Sequence, residues 1–166
     1  MRPRVLFTQM KVSMAAFGID IDRSRIRVFK QPMSKHDVLD QLIDALFASG
    51  AIADREAFRK AVYDRESVMS TGIGQGVAIP HVRTDGVLEP AITVGISRQG
   101  IDFDTLDNQL VYAVVLFAMP AGSQKEYLGL LAQVMTALKK PGFREGLFAC
   151  ETPEEAETVL AEDNEV

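Results

Sequence analysis

Between Val38 and Phe47 apolar residues recur three and four positions apart. Val38, Leu39, Leu42, Ile43, Leu46 and Phe47 therefore share one side of a predicted helix. Ser34 and Asp37 resemble a capping box at its start, with aspartate in place of glutamate. Gly50 marks its stop. Asp54 caps a second predicted helix that carries Ala57, Phe58, Ala61 and Val62 and extends to Arg65. Elsewhere the period shortens. Ile26-Arg27-Val28-Phe29 alternates as a short strand, and the stretch from Ala91 to Ser97 is rich in β-formers. The run from Leu110 to Met119 is almost unbroken in apolar residues, which predicts a strand covered on both faces. Pro120 and Gly122 break it. Ser123 and Glu126 form a second capping box, and Leu128, Leu131, Val134, Met135 and Leu138 follow at helical spacing. Pro141-Gly142 is predicted to end that helix. A short helix from about Phe143 to Ala149 follows. Thr152 caps a last helix toward Leu160, with Pro153 in its first turn.

This order of elements predicts an α/β fold, a mixed β-sheet with helices covering it. Residues 1–24 show no period and read as an irregular lead-in, with the domain over 25–166; the acidic tail from Glu162 to Val166 is predicted to fray. At 166 residues, 47% hydrophobic and 25% charged, the chain is of ordinary globular size and composition. The net charge of −5 argues against a general nucleic-acid binder, which needs clustered lysine and arginine, but suits a basic protein partner. A single cysteine, Cys150, forms no internal bridge and fits a reducing cytoplasm. No apolar run approaches the ~20 residues of a membrane span. The basic, interrupted start does not read as a signal peptide.

Between the second helix and the Ala91 strand lies a glycine-rich run, Ser70-Thr71-Gly72-Ile73-Gly74-Gln75-Gly76, which leads through Val77-Ala78-Ile79-Pro80 to His81. Glycines let backbone amides approach an anion closely. The spacing is neither a dinucleotide fingerprint nor a Walker loop, and no Lys-Ser/Thr pair follows, so a nucleotide cradle is not indicated. The run instead presents a nucleophilic side chain. Imidazole has a neutral, nucleophilic form at pH 7, and a phosphoryl group on its nitrogen stays reactive. Phosphoryl transfer asks mainly for positioning and charge stabilisation. Amides near Gly72 and Gly74, the hydroxyls of Ser70 and Thr71, and Arg65 or Arg83 are candidates to supply both.

Arg65-Glu66, Ser70-Thr71-Gly72-Ile73-Gly74, Gly76 and Ala78-Ile79-Pro80-His81 together resemble the enzyme IIA domain of the fructose/mannitol type of the bacterial phosphotransferase system (PTS). They are most similar to its nitrogen-regulatory members. A second match is Ile101-Asp102-Phe103-Asp104-Thr105-Leu106-Asp107-Asn108-Gln109, and the likeness runs from about Ile26 to Leu160. It implies a mixed sheet flanked by helices on both sides. It also implies a phosphotransferase component rather than a turnover enzyme on small molecules. Carried over by position, His81 accepts a phosphoryl group from an HPr-type phosphocarrier and Arg65 supports the phosphate site. The group then passes to an enzyme IIB, or the phosphorylation state regulates a target protein. Such a chain needs no cofactor. The chain departs from the family in one place: where a second, supporting histidine is usual, Tyr127 stands.

Blander readings compete at several positions. Arg65 serves either the phosphate or a helix-end ion pair with Glu66 or a neighbour. Arg83 is either at the site or a solvated loop residue. His36 reads as a surface residue and Cys150 as a small hydrophobe. The methionines read as packing or surface residues. Two histidines and one cysteine far apart show no metal-ligand spacing.

Overall fold

A computed structural model describes residues 15–161. A single 3₁₀ turn, Arg23–Arg25, leads into β1 (Ile26–Phe29). Two helices follow, α1 (Lys35–Ala48) and α2 (Arg55–Val68). Then come three short strands, β2 (Gly72–Gly74), β3 (Val77–Ala78) and β4 (His81–Thr84). Two long strands, β5 (Ala91–Ile101) and β6 (Val111–Pro120), precede α3 (Gln124–Leu138), α4 (Pro141–Phe148) and α5 (Pro153–Ala161).

The strands form one mixed sheet in the order β1-β5-β6-β3-β2, with β4 also on β6. β5 and β6 run antiparallel, with Ala91 opposite Ala118 and Val94 opposite Val115. β1 is parallel to β5, and β3 and β4 are parallel to β6. The apolar run on β6 divides by parity, as a strand's period of two requires. Ala113, Val115, Phe117 and Met119 face the core under α3, α4 and α5. Val114, Leu116 and Ala118 face the core under α1 and α2. The expected mixed sheet, buried on both faces, is the observed one.

The helix starts are only partly those predicted. Ser34 accepts a hydrogen bond from the Asp37 amide at 3.0 Å, and Asp54 does the same for Ala57 at 3.1 Å. Thr152 caps α5 through the Glu155 amide at 3.1 Å. Ser123 does not cap α3: its hydroxyl donates to the Pro120 carbonyl at 2.6 Å. Pro141 opens α4 rather than closing α3, which ends at Leu138, because proline fits the first helical position, where an amide has no partner. Phe47, Ala57 and Leu128 sit at helical spacing yet face outward. On α3 the buried stripe runs through Tyr127, Val134, Ala137 and Leu138.

Residues 1–14 and the tail lie outside the described residues. Within the rest of the expected lead-in, Phe17 is fully buried and packs edge-on against Phe143 at 5.8 Å. The Ala16 amide donates to the Leu160 carbonyl at 3.0 Å. Among the described residues no helix is long and apolar enough to cross a membrane.

Candidate functional site

The glycine run is a hairpin rather than a loop. β2 and β3 pair antiparallel, with Gly72 opposite Ala78. The turn between them needs positive φ at three successive residues: +92° at Gly74, +57° at Gln75 and +81° at Gly76. Two glycines at those places avoid the Cβ penalty. Gly72 serves a different end, because a Cβ there would stand 2.4 Å from Thr105 Cγ2.

β3 and β4 lie along the same side of β6. Proline has no amide proton, so pairing stops at Ile79-Pro80 and resumes at His81, which stands opposite Phe117. The Pro80 carbonyl still accepts from the Phe117 amide at 2.9 Å. His81 is partly buried. Its Nδ1 lies 2.9 Å from the Ile79 carbonyl oxygen. A carbonyl can only accept, so in the neutral ring the proton is assigned to Nδ1 and the lone pair to Nε2.

The ring borders a cleft of about 240 Å³. Arg65, Ser70, Thr71 and Gly72, all singled out in the sequence, line that cleft with His81. Ile73, Ile79, Leu131 and Met135 complete it. Gly74 lies apart, in the wall of a neighbouring groove with Lys139 and Arg144.

The polar groups here are largely committed. Ser70 Oγ donates to the Phe103 carbonyl at 2.8 Å and accepts from the Gly72 amide at 3.1 Å. The Thr71 hydroxyl donates to Glu66 Oε2, and its amide points at Oε1 at 3.4 Å. Glu66 is buried and pairs with Lys35 at 2.8 Å. The Thr71 carbonyl in turn accepts from the Ile79 amide at 3.0 Å. A continuous chain of contacts thus runs from Lys35 through Glu66, Thr71 and Ile79 to Nδ1 of His81. Arg65 is not paired with Glu66. It donates from Nη1 to the Met69 carbonyl at 3.0 Å, at the end of α2.

Tyr127 lies on α3 with its ring stacked on His81, centroids 5.5 Å apart. Phe117 meets the same ring edge-on at 5.9 Å. Among the described residues the Tyr127 phenol makes no hydrogen bond, so it meets the imidazole through its face. Burial raises the phenol's pKa, with Arg83 and Arg65 pulling the other way. Arg83 places its guanidinium carbon 5.8 Å from the Tyr127 ring centre.

Sequence reasoning missed Glu66 as an anchor, and Leu131 and Met135 as cleft walls. Their helical spacing marks those two as core residues, and each is only half-buried. His36 is exposed, with its ring 4.9 Å from that of Tyr63. Cys150 is buried, and burial together with Glu155 raises its thiol pKa. Among the described residues no three histidine, cysteine or acidic side chains gather as a metal site would need.

The chain is similar along most of its length to known proteins. Residues 21–163 match the model of the family described as "Phosphoenolpyruvate-dependent sugar phosphotransferase system, EIIA 2". The fructose-specific EIIA component of Haloferax volcanii is 31% identical over 137 residues, which is 82% of this chain and 89% of that one. The fructose-specific EIIABC component of Bacillus subtilis is 34% identical over 132 residues, 80% of this chain; the match spans 21% of that longer protein. Among solved structures, the nitrogen regulatory protein IIA-Ntr of Neisseria meningitidis superposes with a TM-score of 0.74 at 27% identity, covering 83% of this chain and 94% of that one. The mixed sheet and these likenesses agree: the chain belongs to the EIIA 2 family of the phosphoenolpyruvate-dependent sugar phosphotransferase system.

Proposed function

We propose that this chain relays a phosphoryl group through Nε2 of His81. The observation that carries the reading is the bond from Nδ1 to the Ile79 carbonyl at 2.9 Å, which orients a ring that lines the cleft and leaves Nε2 of the neutral imidazole as its nucleophilic nitrogen. The donor is an HPr-type phosphocarrier with a phosphohistidine. Its nitrogen–phosphorus bond breaks as the bond from Nε2 of His81 forms. The lone pair of Nε2 enters the new bond, and the donor nitrogen recovers the pair it shared. The Nδ1 proton stays against Ile79, so no proton changes partner at His81. Arg65 and the Gly72 backbone lie in the same cleft as the incoming oxygens, and the Glu66–Thr71–Ile79 chain holds the ring's angle. The acceptor is an enzyme IIB cysteine.

A second reading is favoured by the likeness to a nitrogen regulatory protein. There the output is docking to a regulated protein, switched by roughly two negative charges gained at His81. Both readings place the chain in the cytoplasm.

Incubation with purified enzyme I, HPr and phosphoenolpyruvate tests the site. An acid-labile, base-stable label that disappears in His81→Ala supports it; a label that survives this substitution, or none in the wild type, refutes it. Pull-downs of phosphorylated and unphosphorylated protein then separate relay from switch, since binding that ignores the phosphoryl group counts against the switch.

A further inference from the structure

In the reading above, His81 brings a phosphoryl dianion into a cleft whose hydroxyls have no proton to offer. Ser70 gives its proton to the Phe103 carbonyl and Thr71 gives its own to Glu66. That leaves guanidinium groups to meet the charge: Arg65 lines the cleft, and Arg83, outside that lining, packs on the ring that stacks on His81.

Arg83 lies two residues past His81 on β4. Their cross-strand partners are Met119 and Phe117, both in the core under α3, so both side chains leave the sheet on the Tyr127 side. Two strand residues span only ~7 Å, within reach of an arginine side chain. The guanidinium carbon sits 5.8 Å from the centre of the ring that stacks on His81. Arg83 is exposed, and among the described residues that ring is its side chain's one polar or aromatic partner. Arg23, Arg55 and Arg59, by contrast, are tied to carboxylates, Arg59 to Asp40 at 2.7 Å. A guanidinium resting on an aromatic face keeps its planar fork free for a phosphate.

We propose that Arg83 is a phosphoryl-binding residue of this site, with the Tyr127 ring as its platform. It supplies the positive charge that an uncharged phenol cannot. This rests on His81 being the acceptor. Arg83 forms no covalent bond and gives up no proton; its fork meets the phosphoryl oxygens during transfer to Nε2.

The test compares wild type, Arg83→Ala and Arg83→Lys, with Lys60→Ala, an exposed charge on α2, as control. Phosphorylated HPr is the donor, at a series of concentrations. Loss of one charge-assisted interaction lowers kcat in Arg83→Ala by roughly ten- to a hundredfold. Arg83→Lys recovers part of it, because the charge returns without the fork. The ³¹P resonance of phospho-His81 shifts in both Arg83 variants and stays in place in Lys60→Ala. A wild-type kcat in Arg83→Ala overturns the proposal, as does a change in KM alone, which would mark a donor-docking residue. A wild type that takes no label through His81 instead overturns the reading on which it rests.

Discussion

Lys35 Nζ stands 2.8 Å from Glu66 Oε1, with the lysine side chain 12% and the glutamate 6% exposed. The pair joins the first turn of α1 to the last turn of α2. It also starts the chain of contacts that ends on His81. Removing one member of a buried pair costs about 3–5 kcal/mol when the other is left unpartnered; Lys35 keeps the Phe103 carbonyl at 3.4 Å and Asp104 at 3.8 Å, so the loss here is at the low end, about 3 kcal/mol. Glu66→Ala also strips Thr71 of its acceptor. We expect it to lower the urea stability by that amount, and Glu66→Gln, which keeps an oxygen for Thr71, to lower it less. A change within about 0.5 kcal/mol, the range of ordinary surface substitutions, would show that the pair holds nothing.

Glycines on this chain divide into those the fold needs and those it tolerates. Gly76 has φ +81°, and a Cβ there would lie 3.1 Å from Tyr112 Cδ2 and 3.3 Å from the Phe148 ring. Gly129 lies inside α3 with open space where its Cβ would be. Gly76→Ala should therefore destabilise by at least about 1–2 kcal/mol, the cost of a left-handed non-glycine residue. Gly129→Ala should stabilise by about 0.8–1.0 kcal/mol through helix propensity. Thermal melts of the two variants should move in opposite directions.

Tyr63 links α2 to α1. Its phenol donates to Asp40 at 2.7 Å, and Arg59 sits 4.4 Å from its ring centre. Burial and the bond to Asp40 push its pKa from 10.0 up to about 12. The folded chain thus holds this proton more tightly than the unfolded chain does. The resulting stabilisation is complete below pH 10.0 and fades as the pH rises toward about 12. Urea midpoints for wild type and Tyr63→Phe should converge across that interval. A constant difference from neutral to strongly alkaline pH would contradict the linkage.

How much of this was legible depended on element length. α1 announced itself because Ser34, Gly50 and six spaced apolar residues agree, and β6 because ten residues carry one signal. β2, β3 and β4 have only two to four residues each. Their pairing is set by β6 and by the turn at Gly74–Gly76, and such short strands have no period to read. Leu128 looked buried by spacing, but α3 is rotated so that Tyr127 takes the inward place. The same rotation brings Tyr127 onto His81, a contact across 46 positions that periodicity does not encode. Arg65, Ser70, Thr71, Gly72 and His81 were identifiable from their run along the chain. The opposite wall, Leu131 and Met135, was not, because a residue that both packs and lines a cleft has the pattern of a core residue.

Tyr127 offers the sharpest chemical test of the site. It is 8% exposed, and its raised phenol pKa keeps it neutral throughout the physiological range. Histidine in that place would put an ionisable ring against His81, with an ordinary pKa of ~6.5. The smaller ring also gives up contact with Phe117, so Tyr127→His should lose about 1–3 kcal/mol of stability. The more telling effect is on transfer. Below its pKa the new histidine adds a cation beside the phosphoryl oxygens, and above it that cation is gone. The rate of phosphoryl transfer to His81 should therefore gain a pH dependence centred near ~6.5 that the tyrosine chain lacks. The comparison requires rates for both proteins from about pH 5.5 to 7.5, with the donor's own titration subtracted through the wild type. Superimposable profiles, in a Tyr127→His variant shown to be folded, would mean that the stacked ring lies outside the path of the phosphoryl group.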